Sequence, residues 1–315
     1  MNSYKPAPIG GKLLARIWKH HRLGGIRSLS QPSRSGLNPI RFVNDRYVIR
    51  FYTSEATRYP PSQGEAHAFK ILANSGIPVP EVVALGFSGD ISPYDYLIMS
   101  RLPGRPLIEV WPELDKRQRK RAANSTGVYL AQIHTHTFKR FGYLSRLESD
   151  GYSCWYDFLY DYFSHYAGRV ERVGIIESGI IKRIQRLLQT NRPLLEQVTL
   201  GTLLHSDFHF KHILYQAGEI TGILDFEMAL SGDPAWEFVP EDRWPQQCPG
   251  SLPWLFQQYQ QRRTLESGYE LRVSLYKLLM YLVFIADSKN NQAVDNLEEA
   301  RTQMTGLIEM LEENT

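Results

Sequence analysis

The hydrophobic and polar positions change rhythm once along the chain. From about residue 26 to residue 100, apolar residues come in short runs, many alternating with polar ones, the period of a half-buried strand. Five such runs stand out: GIRSLS (25–30), NPIRFV (38–43), RYVIRFY (46–52), VPEVVALGF (79–87) and YDYLIMS (94–100). The second and third are separated by the polar pair Asn44-Asp45, a turn signal. Between the third and fourth, EAHAFKILANSG (65–76) switches to helical spacing; Glu65, Phe69 and Leu72 share a face and Gly76 supplies a stop. The pattern predicts five strands with one helix after the third.

Beyond residue 107 the period is mostly helical. Candidate helices cover 113–136, 155–173, 177–189, 252–266, 269–288 and 293–312. Three short apolar runs interrupt them: VTLGTLLH (198–205), HILY (212–215) and ITGILDF (220–226), with the turn-rich QAGE between the last two. SRLPGRPL (100–107), rich in Pro and Gly, lies at the change of texture and reads as the connection between two lobes. The expected organisation is a tail and helix over 1–25, a first lobe over 26–103 and a second over 104–315.

Composition narrows the class without naming a function. The chain has 315 residues with ordinary apolar and charged fractions, enough for one large or two modest domains. Two cysteines, Cys154 and Cys248, make neither a disulfide framework nor a zinc quartet, so a reduced, cytoplasmic setting is expected. The first ten residues lack the apolar segment of a secretory leader, and LLMYLVFIA (278–286) is too short to span a bilayer. The charge is unevenly spread. Residues 1–50 hold ten Lys/Arg against Asp45, whereas residues 201–250 hold eight acids against Lys211 and Arg243. The basic residues are scattered and carry no nucleic-acid motif. Neither a nucleic acid nor a membrane is expected as partner.

The chemistry concentrates in HSDFHFKHILY (205–215). A strand ending at His205 delivers Asp207 into a loop before HILY resumes a strand. Downstream, GILDFE ends on Asp225 and Glu227, spaced i, i+2 and so facing one way. Three carboxylates near one point require a cation; Mg²⁺ held through oxygen and partnered by phosphates fits. Asp207 would then accept a proton from an attacking hydroxyl. The histidines also permit a rival reading: a metal-dependent hydrolase with His205, Asp207, His209 and His212 around a transition metal.

HSDFHFKH followed by LDFEMALSGDPAWEF resembles the catalytic segment of the aminoglycoside phosphotransferase and choline kinase-like superfamily. That resemblance implies a protein-kinase-like two-lobed α+β fold, with a five-stranded antiparallel sheet in an N-terminal nucleotide-binding lobe and a mostly helical C-terminal lobe. It implies ATP or GTP and Mg²⁺ as cofactors. Asp207 becomes the catalytic base and Asp225 the principal Mg²⁺ ligand, while Glu227 resembles the acid of the D-F-E version in choline kinases. The superfamily's metal-binding Asn is replaced here by His212, as in macrolide kinases; His212 is expected to bond a phosphate or Asp207. Upstream, SLSQPSRSGLNPIRFV looks like the nucleotide-covering hairpin, with Ser35, Gly36 and Asn38 at its tip. YVIRF puts Arg50 where kinases carry the phosphate-holding lysine, paired with Glu65. YLIMSRLPG looks like the hinge, with Met99 as gatekeeper and Ser100 and Leu102 meeting the adenine edge. The similarity covers about residues 26–290.

Other polar positions have quieter readings. His205 is expected to be structural and Lys211 solvated. His134, on an apolar helical stripe, reads as a satisfied core histidine. Asp233 before Pro234 reads as a helix cap. For the acceptor, the expectation is an antibiotic hydroxyl, aminoglycoside first; a macrolide or a metabolic amino alcohol (choline, ethanolamine, homoserine) is the alternative, and a binding-only pseudokinase a further one. His209, Trp155, Tyr156, Asp161 and Glu237 are the candidate acceptor contacts, since acids and aromatic faces suit a cationic ring or alkylammonium.

Overall fold

The computed structural model describes residues 9–32, 38–53, 59–174, 176–239, 244–291 and 294–313. Near the N-terminus, helix α1 (Gly11–His20) precedes strands β1 (Leu29–Ser30), β2 (Ile40–Val43) and β3 (Tyr47–Tyr52). Helix α2 (Pro61–Leu72) follows, then β4 (Val82–Gly86) and β5 (Asp95–Ser100). The five strands form one sheet in the order β1-β2-β3-β5-β4, each pairing antiparallel. Helix α2 starts four residues before the expected position, because Pro61 occupies its first turn, where a missing N–H costs nothing.

Side-chain alternation gives this sheet two working faces. Ile49 and Phe51 of β3, with Tyr96 and Ile98 of β5, pack against Leu14, Ile17 and Trp18 of α1. The intervening residues, Tyr52, Leu97 and Met99, face the other way, onto Phe69 and Leu72 of α2 and the core of the second lobe. Arg50, in phase with Tyr52, is therefore carried on the cleft side.

The second lobe holds two small sheets among helices. Arg105–Pro106, at the end of the Pro/Gly-rich connection, pairs with Ile213–Gln216, which pairs with Glu219–Ile223. A four-stranded sheet joins Thr137–Phe138, Gly201–Leu204, Leu230–Gly232 and Gly142–Tyr143 in that spatial order. Several of its strands span only two or three residues, too short for a periodic signal. The helices Lys116–Ile133, Trp155–Val173, Ser178–Thr190, Tyr269–Asn291 and Val294–Glu313 fall where the 3.6-residue period puts them, while Ser251–Gln260 stops six residues short of the expected end at 266. Lys116–Ile133 begins with a reciprocal capping box between Asp115 and Gln118. It packs so closely on Ser251–Gln260 that a Cβ on Gly127 would lie 2.2 Å from the Leu255 carbonyl oxygen. No described helix is long and apolar enough to cross a membrane.

Candidate active site

Where the two lobes meet, one guanidinium gathers three carboxylates. Arg50 is 7% exposed. Its Nη1 donates to Glu65 Oε1 and Oε2, both at 3.2 Å, and to Asp225 Oδ1 at 2.8 Å. Its Nη2 donates to Glu227 Oε2 at 2.6 Å. Glu65 also accepts from the Tyr52 hydroxyl, and Glu227 from Asn38 Nδ2 at 2.7 Å. The Thr53 N–H, 3.3 Å from Asn38 Oδ1, fixes that amide's orientation. Chain segments 38, 50–52, 65 and 225–227 thus converge on one charge centre.

The loop after Gly201–Leu204 is held from below. Glu237 is 1% exposed and accepts the His205 N–H at 2.7 Å and the Ser206 N–H at 2.9 Å. It sits on the short 3₁₀ helix Pro234–Phe238, capped by Asp233, whose side chain accepts the Ala235 N–H. His205 ties the loop sideways: Nε2 donates to the Leu224 carbonyl at 2.8 Å and Nδ1 accepts the Asp207 N–H at 3.3 Å. One neutral ring thereby joins the segment carrying Asp207 to the segment carrying Asp225. Ser206 and Asp225 have φ of 66° and 73°, the left-handed region that costs a non-glycine residue about 1–2 kcal/mol. Local strain is accepted at Asp225 and at the residue before Asp207.

His212 stands between the two acids. Its Nδ1 donates to the Asp207 carbonyl at 3.0 Å, and its Nε2 lies 3.2 Å from Asp225 Oδ2. Asp207 Oδ1 receives Nε2 of His209 at 3.0 Å, while Lys211 Nζ and His212 Nδ1 stand 3.7 and 3.6 Å from Oδ2. The carboxyls of Asp207 and Asp225 are thus within reach of one imidazole.

Charge and burial oppose each other throughout the cluster. For Asp207 burial disfavours the anion, but the hydrogen bond from His209 and the neighbouring His212 and Lys211 outweigh it and hold the carboxyl well below the ordinary range. Asp225 is also lowered: burial raises it, Arg50 and His212 lower it more. Glu227 goes up to about 7, pushed by burial, relieved in part by Arg50 and pushed further by Asp225 and Glu65. Burial takes His212 down to about 4 despite both aspartates. With three acids around one cation, burial also raises Glu65, opposed by Arg50, so the crowding shifts Glu65 and Glu227 up while Asp225 stays low.

Among the expected nucleotide contacts, Asn38, Arg50, Glu65 and His212 come together here; Ser35 and Gly36 lie outside the described residues. Met99 is buried in β5 opposite Val48 and Val82. Ser100 pairs with Glu81 through its N–H and hydroxyl. Leu102 reaches Gly222, in the strand that leads to Asp225.

Of the candidate acceptor contacts, several have other partners. Trp155 is fully buried, donates from Nε1 to the Tyr276 hydroxyl at 2.8 Å and stacks on Phe158. Tyr156 lies under Arg192, 4.8 Å from ring centroid to guanidinium. Glu237 is spent on loop N–H groups, and His209 is buried against Asp207. Asp161 is half-buried on the helix of Trp155. An aromatic group the sequence reading did not single out stands nearer: Tyr59 stacks on Tyr143 with centroids 4.0 Å apart. Burial, then the charges of Glu227, Tyr166, Asp207 and Asp225, push the Tyr59 phenol upward. Tyr52 was findable, two positions after Arg50 on the same strand face. Tyr59 left no sequence signal, and neither did Gln247, whose Nε2 lies 2.9 Å from His209 Nδ1. His134, as expected, is a core residue, fully buried with Nδ1 2.8 Å from the Tyr259 hydroxyl.

The five-stranded antiparallel sheet set against a mostly helical lobe defines a two-lobed, protein-kinase-like α+β fold. The sequence pattern of the phosphotransferase enzyme family matches residues 29–240, and the chain belongs to that family. Its backbone is similar to ADP-bound aminoglycoside phosphotransferase APH(2'')-Ib, with TM-score 0.66, 15% identity and coverage of 95% of this chain and 97% of that one. A thermostable mutant of aminoglycoside phosphotransferase APH(4)-Ia gives TM-score 0.66 and 19% identity, over 96% of this chain and 99% of the other. The streptomycin–ATP complex of APH(2'')-IIa gives TM-score 0.65 at 16% identity, over 95% and 97%. At these identities the likeness is one of fold. In sequence, the chain is 24% identical over 222 residues to mouse acyl-CoA dehydrogenase family member 10, covering 67% of this chain. It spans about a fifth of that relative's length (20%).

Proposed function

We propose that the protein is an ATP- and Mg²⁺-dependent small-molecule kinase that phosphorylates a hydroxyl of an amine-bearing acceptor, an aminoglycoside first. The observation that carries this reading is the shared reach of His212, which brings the Asp207 and Asp225 carboxyls to one cleft beside Arg50. Asp207 Oδ2 takes the acceptor's hydroxyl proton; the hydroxyl oxygen bonds to the γ-phosphorus as the bond from that phosphorus to its bridging oxygen breaks, and nucleoside diphosphate leaves with that electron pair. Arg50, held by Glu65, offers its guanidinium to the nucleotide phosphates.

The donor set fits a divalent cation. With Nδ1 of His212 donating to a carbonyl, Nε2 presents a lone pair to Asp225 Oδ2 only 3.2 Å away. The carboxylates of Asp225 and Glu227 offer the oxygen ligands, and the imidazole nitrogen beside them is a poor ligand for Mg²⁺. Among the described residues, no group of three or more His, Cys, Asp or Glu gathers as a metal cage. That suits Mg²⁺, which takes one or two carboxylates and completes its shell with phosphates and water. When bound, the ion would neutralise developing charge on the phosphates.

A transition-metal hydrolase centre is disfavoured by the same geometry. His205 spends its nitrogens on the Leu224 carbonyl and the Asp207 N–H, and His209 on Asp207 and Gln247. A second acceptor reading, a metabolic amino alcohol, is favoured by the Tyr59–Tyr143 stack beside the acids, since a ring face attracts an alkylammonium. The test is ATP consumption with Mg²⁺ over aminoglycosides, macrolides, choline, ethanolamine and homoserine, with Asp207→Asn alongside. Transfer to an aminoglycoside, reduced about 10³-fold in the variant, supports the proposal. Transfer only to an amino alcohol overturns the antibiotic acceptor. Activity of the variant within about tenfold of the parent overturns the role of Asp207.

A further inference from the structure

His209 has both ring nitrogens committed, and the commitment determines which one carries the proton. Phe210 donates its N–H to Gln247 Oε1 at 3.3 Å, so the oxygen end of that amide faces the backbone. The other end, Nε2, lies 2.9 Å from His209 Nδ1. An amide NH₂ only donates, so Nδ1 must accept and bears no hydrogen. The single ring proton is on Nε2, 3.0 Å from Asp207 Oδ1. Gln247 is held in place by its own short helix, Trp244–Gln247, whose fully buried Trp244 donates Nε1 to the Phe208 carbonyl at 2.9 Å. Three successive loop residues, Phe208, His209 and Phe210, are thus bonded to one segment about forty residues downstream.

We propose that Gln247 and His209 form a positioning pair for Asp207, resting on the kinase reading above. Gln247 locks the Nε2–H tautomer of His209; the ring then pins Oδ1 and leaves Oδ2 as the oxygen that receives the acceptor's proton. The contacts around Oδ2, at 3.6 Å or more, are too long to compete with an incoming hydroxyl. Neither residue touches substrate. Their effect is on the direction of one carboxyl, and a misdirected reacting group costs up to roughly a hundredfold in rate.

The experiment combines ¹⁵N NMR of the His209 ring with steady-state kinetics of the full-length protein. The parent shows the ring proton on Nε2 and none on Nδ1. His209→Leu lowers kcat roughly ten- to a hundredfold with the nucleotide KM unchanged. His209→Gln, which supplies an N–H at the Nε2 position, restores kcat to within a few-fold of the parent. Gln247→Met gives mixed tautomers and an intermediate kcat. Gln247→Glu accepts from Nδ1, so the ring becomes an imidazolium and kcat acquires a new pH dependence. An Nδ1–H ring in the parent, or a Gln247→Met variant with unchanged tautomer and kcat, overturns the proposal. So do rate losses that merely follow melting temperature across the set. The tautomer is read on the resting protein, so it stands or falls separately: if Asp207→Asn stays active while the ring is Nε2–H, the role of Asp207 as base fails and not the lock.

Discussion

The two sides of the cleft are held by different forces. Below it, the loop around Asp207 rests on directional bonds in which each partner is assigned: Glu237 takes two N–H groups, His205 bridges two backbone groups, and His209 spans Gln247 and Asp207. Above it, Arg50 is shared by Glu65, Asp225 and Glu227, and attraction to one cation holds three anions together. The first arrangement aims a group and tolerates little change in geometry. The second crowds three acids around one cation and depends on charge more than on an exact angle. The proposed phosphoryl transfer would use both, a directed base and a place for a phosphate-bound cation.

Mutations separate these forces, and the charge side yields the largest effect. Arg50→Met strands the buried Glu65 carboxylate and costs about 3–5 kcal/mol. Adding Glu65→Gln to it recovers a large part, because the stranded charge goes too; denaturant melts of the two singles and the double measure the coupling. Equal additive losses would mean the pair is not coupled through charge.

On the directional side, Glu237→Gln leaves one loop N–H facing an amide NH₂ in place of an acceptor. The expected cost is about 1–3 kcal/mol, with a fall in kcat as the loop loosens. Unchanged stability and kcat would show that Glu237 does not anchor the loop.

The smallest expected effect is a slope with pH. Burial lowers the His134 pKa, partly opposed by the Glu237 carboxylate 3.6 Å from its Nε2. Below about pH 6.5 the unfolded chain protonates this histidine and the folded protein does not, so unfolding takes up a proton and stability falls with falling pH. The limit is about 1.4 kcal/mol per pH unit. Melts at pH 7, 6 and 5 should be flatter for His134→Gln than for the parent; equal slopes would place the titration elsewhere.

Legibility differed residue by residue. Asp207 and Asp225 could be read because each follows an apolar run in a short, recognisable spacing. Arg50 and Glu65 could be read because strand and helix periods place them on inward faces. Glu237 was seen as an acid but assigned to the acceptor, since nothing local says that its carboxylate points down onto the N–H groups of residues 205 and 206. Trp155 failed in the same way: an aromatic helix face looks alike whether it lines a cleft or packs on Tyr276.

The sequence by itself determined the two-lobe order, the strand and helix periods and the identity of the acids, because these depend on spacing within a few residues. Only the tertiary structure decided which acids meet on Arg50, which oxygen of Asp207 His209 holds, and that Gln247 belongs beside the loop. Those depend on contacts between segments tens to more than a hundred residues apart, and a hydrogen bond's direction is settled by the partner it finds rather than by its place in the chain.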